Sequence, residues 1–490
     1  MQGFSTEDTI VAIATPPGRG GIGVVRVAGP RAVEIARSLI GREEPLCPRH
    51  ATFARILGPG SDGNGDASAS HRADRALDHV VVTWYVAPHS YTGDDVVEIS
   101  GHGSPLLLKQ VVELAIAGGA RLAEPGEFTL RAYLNGRIDL AQAEAVADLV
   151  NAVTPLQARS AMDQLEGTLT GVIRRIDAAL FDLAARLEAS LDFPDEGFHF
   201  ITRDETVAGL SVVRADLDRL AEEGRAGRVV REGRMIVIGG PPNAGKSSLF
   251  NALLGADRAI VTDLPGTTRD VLSERVDIGG VPVTLVDTAG LREASDAIEA
   301  EGVRRARAAH HVAAMTILVL DRSAPLPENL NELLSHAGVI VVNKIDRPAA
   351  WDVADLRKGK GQRAEGKGKG KGKGKGKVKG EREEESDDVV EVSALTGAGL
   401  DDLRCRLTNA LTDREELRDP PAISNVRHLA LVDDARETLE RAGKSLAAGA
   451  TEELVLAELA AARRALEEIT GRRTADDVLE HIFSSFCVGK

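Results

Sequence analysis

Runs of β-branched residues between Gly- and Pro-rich turns dominate the start of the chain. Val24-Val25-Arg26-Val27 and Val80-Val81-Val82-Thr83-Trp84-Tyr85-Val86 are the clearest, and a helical pattern lies near Leu106–Ala117. This predicts a small α+β domain over 1–135, with Gly58 to Ser70, rich in Gly, Asp and Ser, as a surface loop. From Leu140 the pattern changes: Ala, Leu, Glu, Arg and Gln dominate through about Gly224, and Leu165, Leu169, Ile173, Ile176, Leu180, Leu183 and Leu187 recur at helical spacing. Helical composition returns from His428 to Phe486, with repeated Leu and Ala, paired Glu and Arg, and no β-rich run. Neither helical stretch shows an obvious partner for its apolar stripe elsewhere. The pattern therefore predicts that 136–228 and 416–490 pack together as one discontinuous helical domain, interrupted by an α/β domain over 229–415.

The chain has 490 residues, which fits about three domains. Aromatics make up only 3%, so the cores are expected to be built from Ala, Leu, Val and Ile. The net charge of −15 means that a nucleic-acid partner would need a local basic patch rather than overall charge. Cys47, Cys405 and Cys487 are too few and scattered for a disulfide framework or metal cluster, which suits a reducing compartment. The N-terminus lacks a basic stretch followed by an apolar one, and no run of about 18 apolar residues occurs. A cytoplasmic protein without membrane spans is expected.

The interrupting segment carries the chemistry. Met235-Ile236-Val237-Ile238 leads into Gly240-Pro241-Pro242-Asn243-Ala244-Gly245-Lys246-Ser247, a G-x-x-x-x-G-K-S phosphate loop between strand and helix. The glycines let backbone N–H groups converge on phosphates, Lys246 brings charge to the outer phosphates, and the Ser247 hydroxyl can ligate Mg²⁺. A helix from near Ser248 adds its dipole. Asp287-Thr288-Ala289-Gly290 follows the strand Val283-Thr284-Leu285-Val286, placing a carboxylate to hold Mg²⁺ through water and a Gly N–H to sense the γ-phosphate. Asn343-Lys344-Ile345-Asp346 follows Val339-Ile340-Val341-Val342, and Asp346 can accept two hydrogen bonds from N1–H and the 2-amino group of guanine, a pair adenine lacks. Ser393-Ala394-Leu395, after Val389-Val390-Glu391-Val392, supplies the last base-side loop. Together these motifs predict a Ras-like P-loop domain that binds GTP. Leu291 stands where small regulatory GTPases carry the Gln that orients the attacking water, so hydrolysis needs another group. Glu293, Asp296 and Glu299 are the nearby carboxylates.

With these motifs placed, the chain resembles the tRNA-modifying GTPase family known as MnmE or TrmE over essentially its full length. The resemblance rests on Asp8-Thr9-Ile10-Val11-Ala12, Ala14-Thr15-Pro16-Pro17-Gly18-Arg19-Gly20-Gly21, Ser90-Tyr91-Thr92-Gly93-Asp94-Asp95, Gly101-His102-Gly103, Pro125-Gly126-Glu127-Phe128-Thr129, Asp139-Leu140-Ala141-Gln142-Ala143-Glu144-Ala145 and Phe486-Cys487-Val488-Gly489-Lys490. It implies a homodimer whose N-terminal domain dimerises and binds a tetrahydrofolate derivative, 5-formyl or 5,10-methylene. The positions matching the folate contacts are Arg26, Glu98, Arg137, which stands where the family has Lys, and Lys490. It also implies a partner flavoprotein, MnmG, carrying FAD in a heterotetramer, and a carboxymethylaminomethyl-type group built on the wobble uridine of certain tRNAs.

The same resemblance implies G domains activated by dimerising around K⁺, with Asn243, Thr262, Leu264 and Thr267 as ligands. The loop Thr262-Asp263-Leu264-Pro265-Gly266-Thr267-Thr268 joins Asn243, Ala244, Gly245, Lys246, Ser247 and Ser248 in the nucleotide site, and Thr268 joins Ser247 at Mg²⁺. Glu299 matches the catalytic carboxylate.

Lys358 to Gly380 alternates Lys and Gly, cannot bury apolar area, and reads as a disordered insertion. Cys487, between Phe486 and Val488, reads more readily as a buried small hydrophobe than as a nucleophile. The competing function is a regulatory GTPase acting as a ribosome or RNA assembly factor, but no G-x-x-G loop in KH-like context follows the GTPase segment.

Overall fold

The computed structural model of the protein describes residues 7–58, 76–192, 200–255, 273–287, 314–354, 356, 389–411 and 423–489. The Lys358 to Gly380 tract and most of the expected loop before Ser70 lie outside the described residues.

The N-terminal sheet contains β1 (Ile10–Ile13), β2 (Gly20–Ala28), β3 (Thr52–Leu57), β4 (Ala76–Tyr85), β5 (Val96–Gly103) and β6 (Arg121–Leu122), in the order β3-β4-β5-β2-β1-β6. All neighbours are antiparallel except β1 and β6. Alternation along the strands decides which face is which. Val25, Val27, Val80, Val82, Val97 and Ile99 point to the face covered by helices α1 (Ala32–Leu39) and α2 (Pro105–Ala117), which contribute Ile35, Leu39, Leu108 and Val111. On the other face Ile10, Ala12, Ala28 and Val96 close over Phe128 of α3 (Glu127–Leu134).

The helical layer is built from both halves of the chain. Helix α6 (Thr168–Asp192) and α7 (Arg203–Glu232) share one continuous core with α11 (Val426–Ala447) and α12 (Glu452–Ile469). The stripe Leu169–Ile173–Ile176–Leu180–Leu183–Leu187 packs there against residues such as Leu217, Leu439 and Leu459, so the two halves form one discontinuous domain. Leu165 belongs to a different surface. Gly167 separates it from α6; it ends α5 (Pro155–Leu165) and packs with α4 (Leu140–Val150) and α13 (Asp476–Ser484). A continuous apolar spacing across a helix break could not reveal that change of partner.

The string from Asp139 to Ala145 acts locally and at long range. Asp139 and Gln142 form a capping box at the start of α4, and Asp139 also accepts from Thr170 Oγ1 at 2.6 Å. Glu144, a turn further on, is buried between Arg427, whose guanidinium donates to both carboxylate oxygens (3.1 and 2.9 Å), and His428 Nε2, 2.6 Å away. Arg427 also donates to the carbonyls of Glu468 and Ile469 at the end of α12.

The inserted sheet contains β7 (Arg234–Gly239), β8 (Ser273–Ile278), β9 (Val281–Asp287), β10 (Met315–Asp321), β11 (Val339–Asn343) and β12 (Val389–Glu391), in the order β12-β11-β10-β7-β9-β8. It is parallel except for β8. Among its described helices, α8 (Lys246–Gly255) and α10 (Leu400–Leu411) cover one face through Leu249, Phe250, Leu403 and Leu407, and α9 (Leu330–Ser335) packs on the other. No helix among the described residues is long and apolar enough to cross a membrane.

Burial acts to raise the Glu144 carboxyl above its ordinary 4.5. The opposing charge and hydrogen bond of His428, with those of Arg427, outweigh it and hold the group at about 2. Its stabilising contribution is therefore complete above about pH 4.5 and is lost as the pH falls toward 2. The substitution Glu144→Gln is expected to lower the urea midpoint at pH 7, by the equivalent of about 3–5 kcal/mol for breaking a buried ion pair. It should also flatten the decline of that midpoint between pH 4.5 and 2. Urea titrations across this range check both; a parallel acid decline in the two proteins would contradict the assignment.

Candidate functional site

Strand β7 lies between β9 and β10, so the chain reverses its direction of winding there and the phosphate loop sits at the carboxyl end of the strand at the switch. The following helix begins at Lys246 rather than Ser248, which puts Lys246 and Ser247 in its first turn, where N–H groups and the helix dipole favour anions. Lys246 is buried and its Nζ donates to Pro241 O at 2.8 Å, folding the side chain back over the loop. Ser247 Oγ donates to Asp287 Oδ2 at 2.8 Å, and Asp287 is the buried last residue of β9. A hydroxyl and a carboxylate brought this close are hard oxygen donors of the kind Mg²⁺ takes, so these two residues fit that ion.

The base-side loops are braced against the phosphate loop. Asn343, buried at the end of β11, donates from Nδ2 to Ala244 O (3.0 Å) and accepts from Ala394 N (3.1 Å), which ties together the loops around residues 244, 343 and 394. Lys344 Nζ donates to Asn243 O at 2.7 Å and to Asp321 Oδ2 at 2.6 Å. Asn243 and Lys344 both have positive φ, 59° and 65°, a conformation that non-glycine residues adopt at a cost and that clusters at functional sites. Ser393, fully buried, donates from Oγ to Asp346 Oδ1 at 2.6 Å, and this bond leads the effects that lower the Asp346 carboxyl from its ordinary value. The carboxylate is thus oriented, ionised and exposed, ready to accept two donors. Ile345 follows with its N–H on Val392 O, and Leu395 is exposed beyond Ala394.

Asp321 was not singled out from the sequence. It ends the apolar strand β10 and steers Lys344, so an apolar run ending in a carboxylate was the available signal. Thr262, Asp263, Leu264, Pro265, Gly266, Thr267, Thr268, Thr288, Ala289, Gly290, Leu291 and Glu299 lie outside the described residues, as does Lys490.

A second cluster forms on the N-terminal sheet. Arg26 of β2 and Glu98 of β5 face each other across the antiparallel pair and are bridged at 2.8 Å. The Arg26 guanidinium lies 5.5 Å from the Tyr91 ring and 5.6 Å from the Phe128 ring. The C-terminal tail reaches the same place, since Arg26 Nη1 donates to Gly489 O at 3.4 Å and Val488 pairs with Pro125. This close approach requires Gly126, where a Cβ would lie 2.7 Å from Phe483 O. Arg137 is exposed after α3 and lies near Gly93, two residues beyond Tyr91. Cys487 is exposed, which corrects the expectation of a buried thiol: Phe486 fills the core position and turns its neighbour outward.

A mostly parallel sheet with the phosphate loop from Gly240 to Ser247, Asp287 and the motif from Asn343 to Asp346 at the carboxyl ends of its strands has the arrangement of a P-loop GTPase, and the protein is a GTP hydrolase. The family model described as the MnmE helical domain matches residues 140–487, and that of the GTP-binding protein TrmE N-terminus matches residues 9–137. The chain belongs to the MnmE family of tRNA modification GTPases. It is 43% identical over 496 residues to the tRNA modification GTPase MnmE of Koribacter versatilis (strain Ellin345), a match that covers 99% of this chain and 100% of that relative. With the protein of the same name from Symbiobacterium thermophilum it shares 41% over 497 residues, with the same coverage. Among solved structures it is similar to the G domain of the T. maritima FeoB iron transporter: 26% identity, 36% of this chain and 99% of that chain covered, TM-score 0.25.

Gly245 has a φ of +91°, and a Cβ there would lie 2.3 Å from Asn343 Nδ2. Replacing Gly245 with Ala therefore displaces the side chain that joins the phosphate and base loops. Affinity for GDP is expected to fall by at least about tenfold, the equivalent of one strong hydrogen bond. Calorimetric titration of the variant measures it, and retained affinity would contradict this role for the Gly245–Asn343 contact.

Proposed function

We propose that this protein is a K⁺-activated GTPase whose G domains hydrolyse GTP when they dimerise. With an MnmG-type flavoprotein carrying FAD, as a heterotetramer in the cytoplasm, it adds a carboxymethylaminomethyl group to C5 of the wobble uridine of certain tRNAs. A tetrahydrofolate derivative, 5-formyl or 5,10-methylene, supplies the one-carbon unit. The observation that carries this reading is the meeting of the C-terminal tail with the Arg26–Glu98 pair beneath Tyr91 and Phe128, which gives a planar heterocycle ring faces, a cation and a carboxylate in one place. In this reading residues 1–135 bind folate and dimerise, 136–228 with 416–490 form the helical support, and 229–415 form the G domain.

In the G domain, Asp346 selects guanine by accepting from N1–H and the 2-amino group, and Ser393 holds it in place. Lys246 and the first turn of α8 take the phosphates, with Ser247, Thr268 and Asp287 on the Mg²⁺ side. Mg²⁺ supplies charge neutralisation across the β- and γ-phosphates. Asn243, with Thr262, Leu264 and Thr267, holds K⁺, which offsets charge as an arginine finger does. Glu299 positions the attacking water in place of the Gln that Leu291 replaces. Arg26, Glu98, Arg137 and Lys490 hold the folate, with Arg137 supplying charge in a geometry different from that of Lys.

The GTP hydrolysis rate in K⁺ is expected to exceed that in Na⁺ at equal ionic strength by at least about tenfold, well within what an arginine finger contributes. Asn243→Ala should abolish the difference. A rate indifferent to the cation would remove the K⁺ mechanism and favour the assembly-factor alternative.

A further inference from the structure

The G domain leaves and rejoins the helical domain at two neighbouring places, and α4 with α5 grips both. On the incoming connector, Arg231 near the end of α7 is bridged to Asp148 of α4 at 2.8 Å, and its carbonyl accepts from Gln157 of α5 at 3.0 Å. On the outgoing connector, Ser424 Oγ accepts from Gln164 of α5 at 3.0 Å, and Arg427 and His428 are held by Glu144 of α4. Between the connectors lies a cavity of about 40 Å³ lined by both polar and apolar side chains, among them Asp148, Ser160, Val230, Arg231, Ser424 and, from strand β8 of the G domain, Arg275. This volume exceeds the roughly 10–15 Å³ that one water needs, so the space between the connectors is large enough to hold water.

The opposite side of α4 meets the C-terminal tail. Val146 shares an apolar cluster with Phe483 and Phe486, and a crevice of about 10 Å³ separates Val146, Ala147, Val150 and Asn151 from Cys487. Two residues further on, Gly489 accepts from Arg26.

We infer that α4 and α5 form a yoke. Asp148, Gln157, Gln164 and Glu144 are positioning residues that convert movement of the two G-domain connectors into movement of the C-terminal tail at the Arg26–Glu98 cluster. This rests on the reading that nucleotide turnover drives chemistry at the N-terminal site, and it identifies how the two sites communicate. Coupling of this kind is reciprocal, so the tail senses which nucleotide is bound, and occupation of the N-terminal site alters nucleotide affinity.

Cys487 provides the test because it is exposed and borders α4. In full-length protein carrying Cys47→Ser and Cys405→Ser, Cys487 is the remaining thiol. Its labelling rate by a maleimide is measured in K⁺ and Mg²⁺ with saturating GDP or with a non-hydrolysable GTP analogue, and binding of each nucleotide is measured in parallel. The rates are expected to differ about fivefold or more, the lower end of typical allosteric coupling. Adding Asp148→Asn and Ser424→Ala should bring them together while nucleotide affinity and melting temperature hold. If that combination does not fold, Gln164→Met, which keeps the volume and removes one connector contact, should reduce the difference. Equal rates with both nucleotides bound, or a difference unchanged in the folded variants, overturn the yoke and leave the GTPase standing. Equal rates without nucleotide binding overturn both.

Discussion

The pairing of Glu144 with Arg427 and His428 is the contact on which the rest of the architecture turns. Its partners lie 283 and 284 residues away in sequence, on the far side of an entire inserted domain. A carboxylate this deeply buried is tolerable only when its lone pairs are matched by donors, and here the guanidinium and the imidazole supply them. Because Arg427 also binds the last carbonyls of α12, one cluster sets the start of α11, the end of α12 and the body of α4 relative to one another. Helix α13 then packs on α4 through Leu479 and Phe483, and the tail beyond it is delivered to Arg26. The N-terminal sheet, the helical core and the C-terminus are therefore held in register by an interaction that neither half of the chain could make alone.

The features readable in the sequence are those encoded within a few residues. The phosphate loop, Asp287, the loop from Asn343 to Asp346, and Ser393 each follow a short apolar run, and those runs are β7, β9, β11 and β12. The stripe along α6 was equally legible, because six apolar positions at helical spacing leave little choice of face. What stayed hidden depends on distant partners. Glu144 stood inside a recognisable string with no assigned task, since nothing near it in sequence could neutralise it. Asp321 gains its meaning only when Lys344 folds back onto it. Burial at single positions failed for the same reason: Cys487 sits between two apolar residues, yet only Phe486 of the three is buried.

The two sides of α4 differ in kind. Toward the G domain its contacts are polar: the Asp148–Arg231 pair keeps 21% and 29% side-chain exposure, and the adjoining cavity leaves space beside it. Burial is the largest influence on the Asp148 carboxyl and pushes it up, so this pair is largely withdrawn from water and its geometry matters to the joint. Toward the tail the contacts are apolar, formed by Val146, Phe483 and Phe486, with a crevice of about 10 Å³ beside them. In the yoke inferred above, movement of the connectors reaches α4 and α5 through these directional contacts, Asp148 to Arg231 and Gln157 to the Arg231 carbonyl. The tail follows α4 in that yoke because parting the two would expose Val146, Phe483 and Phe486 to water.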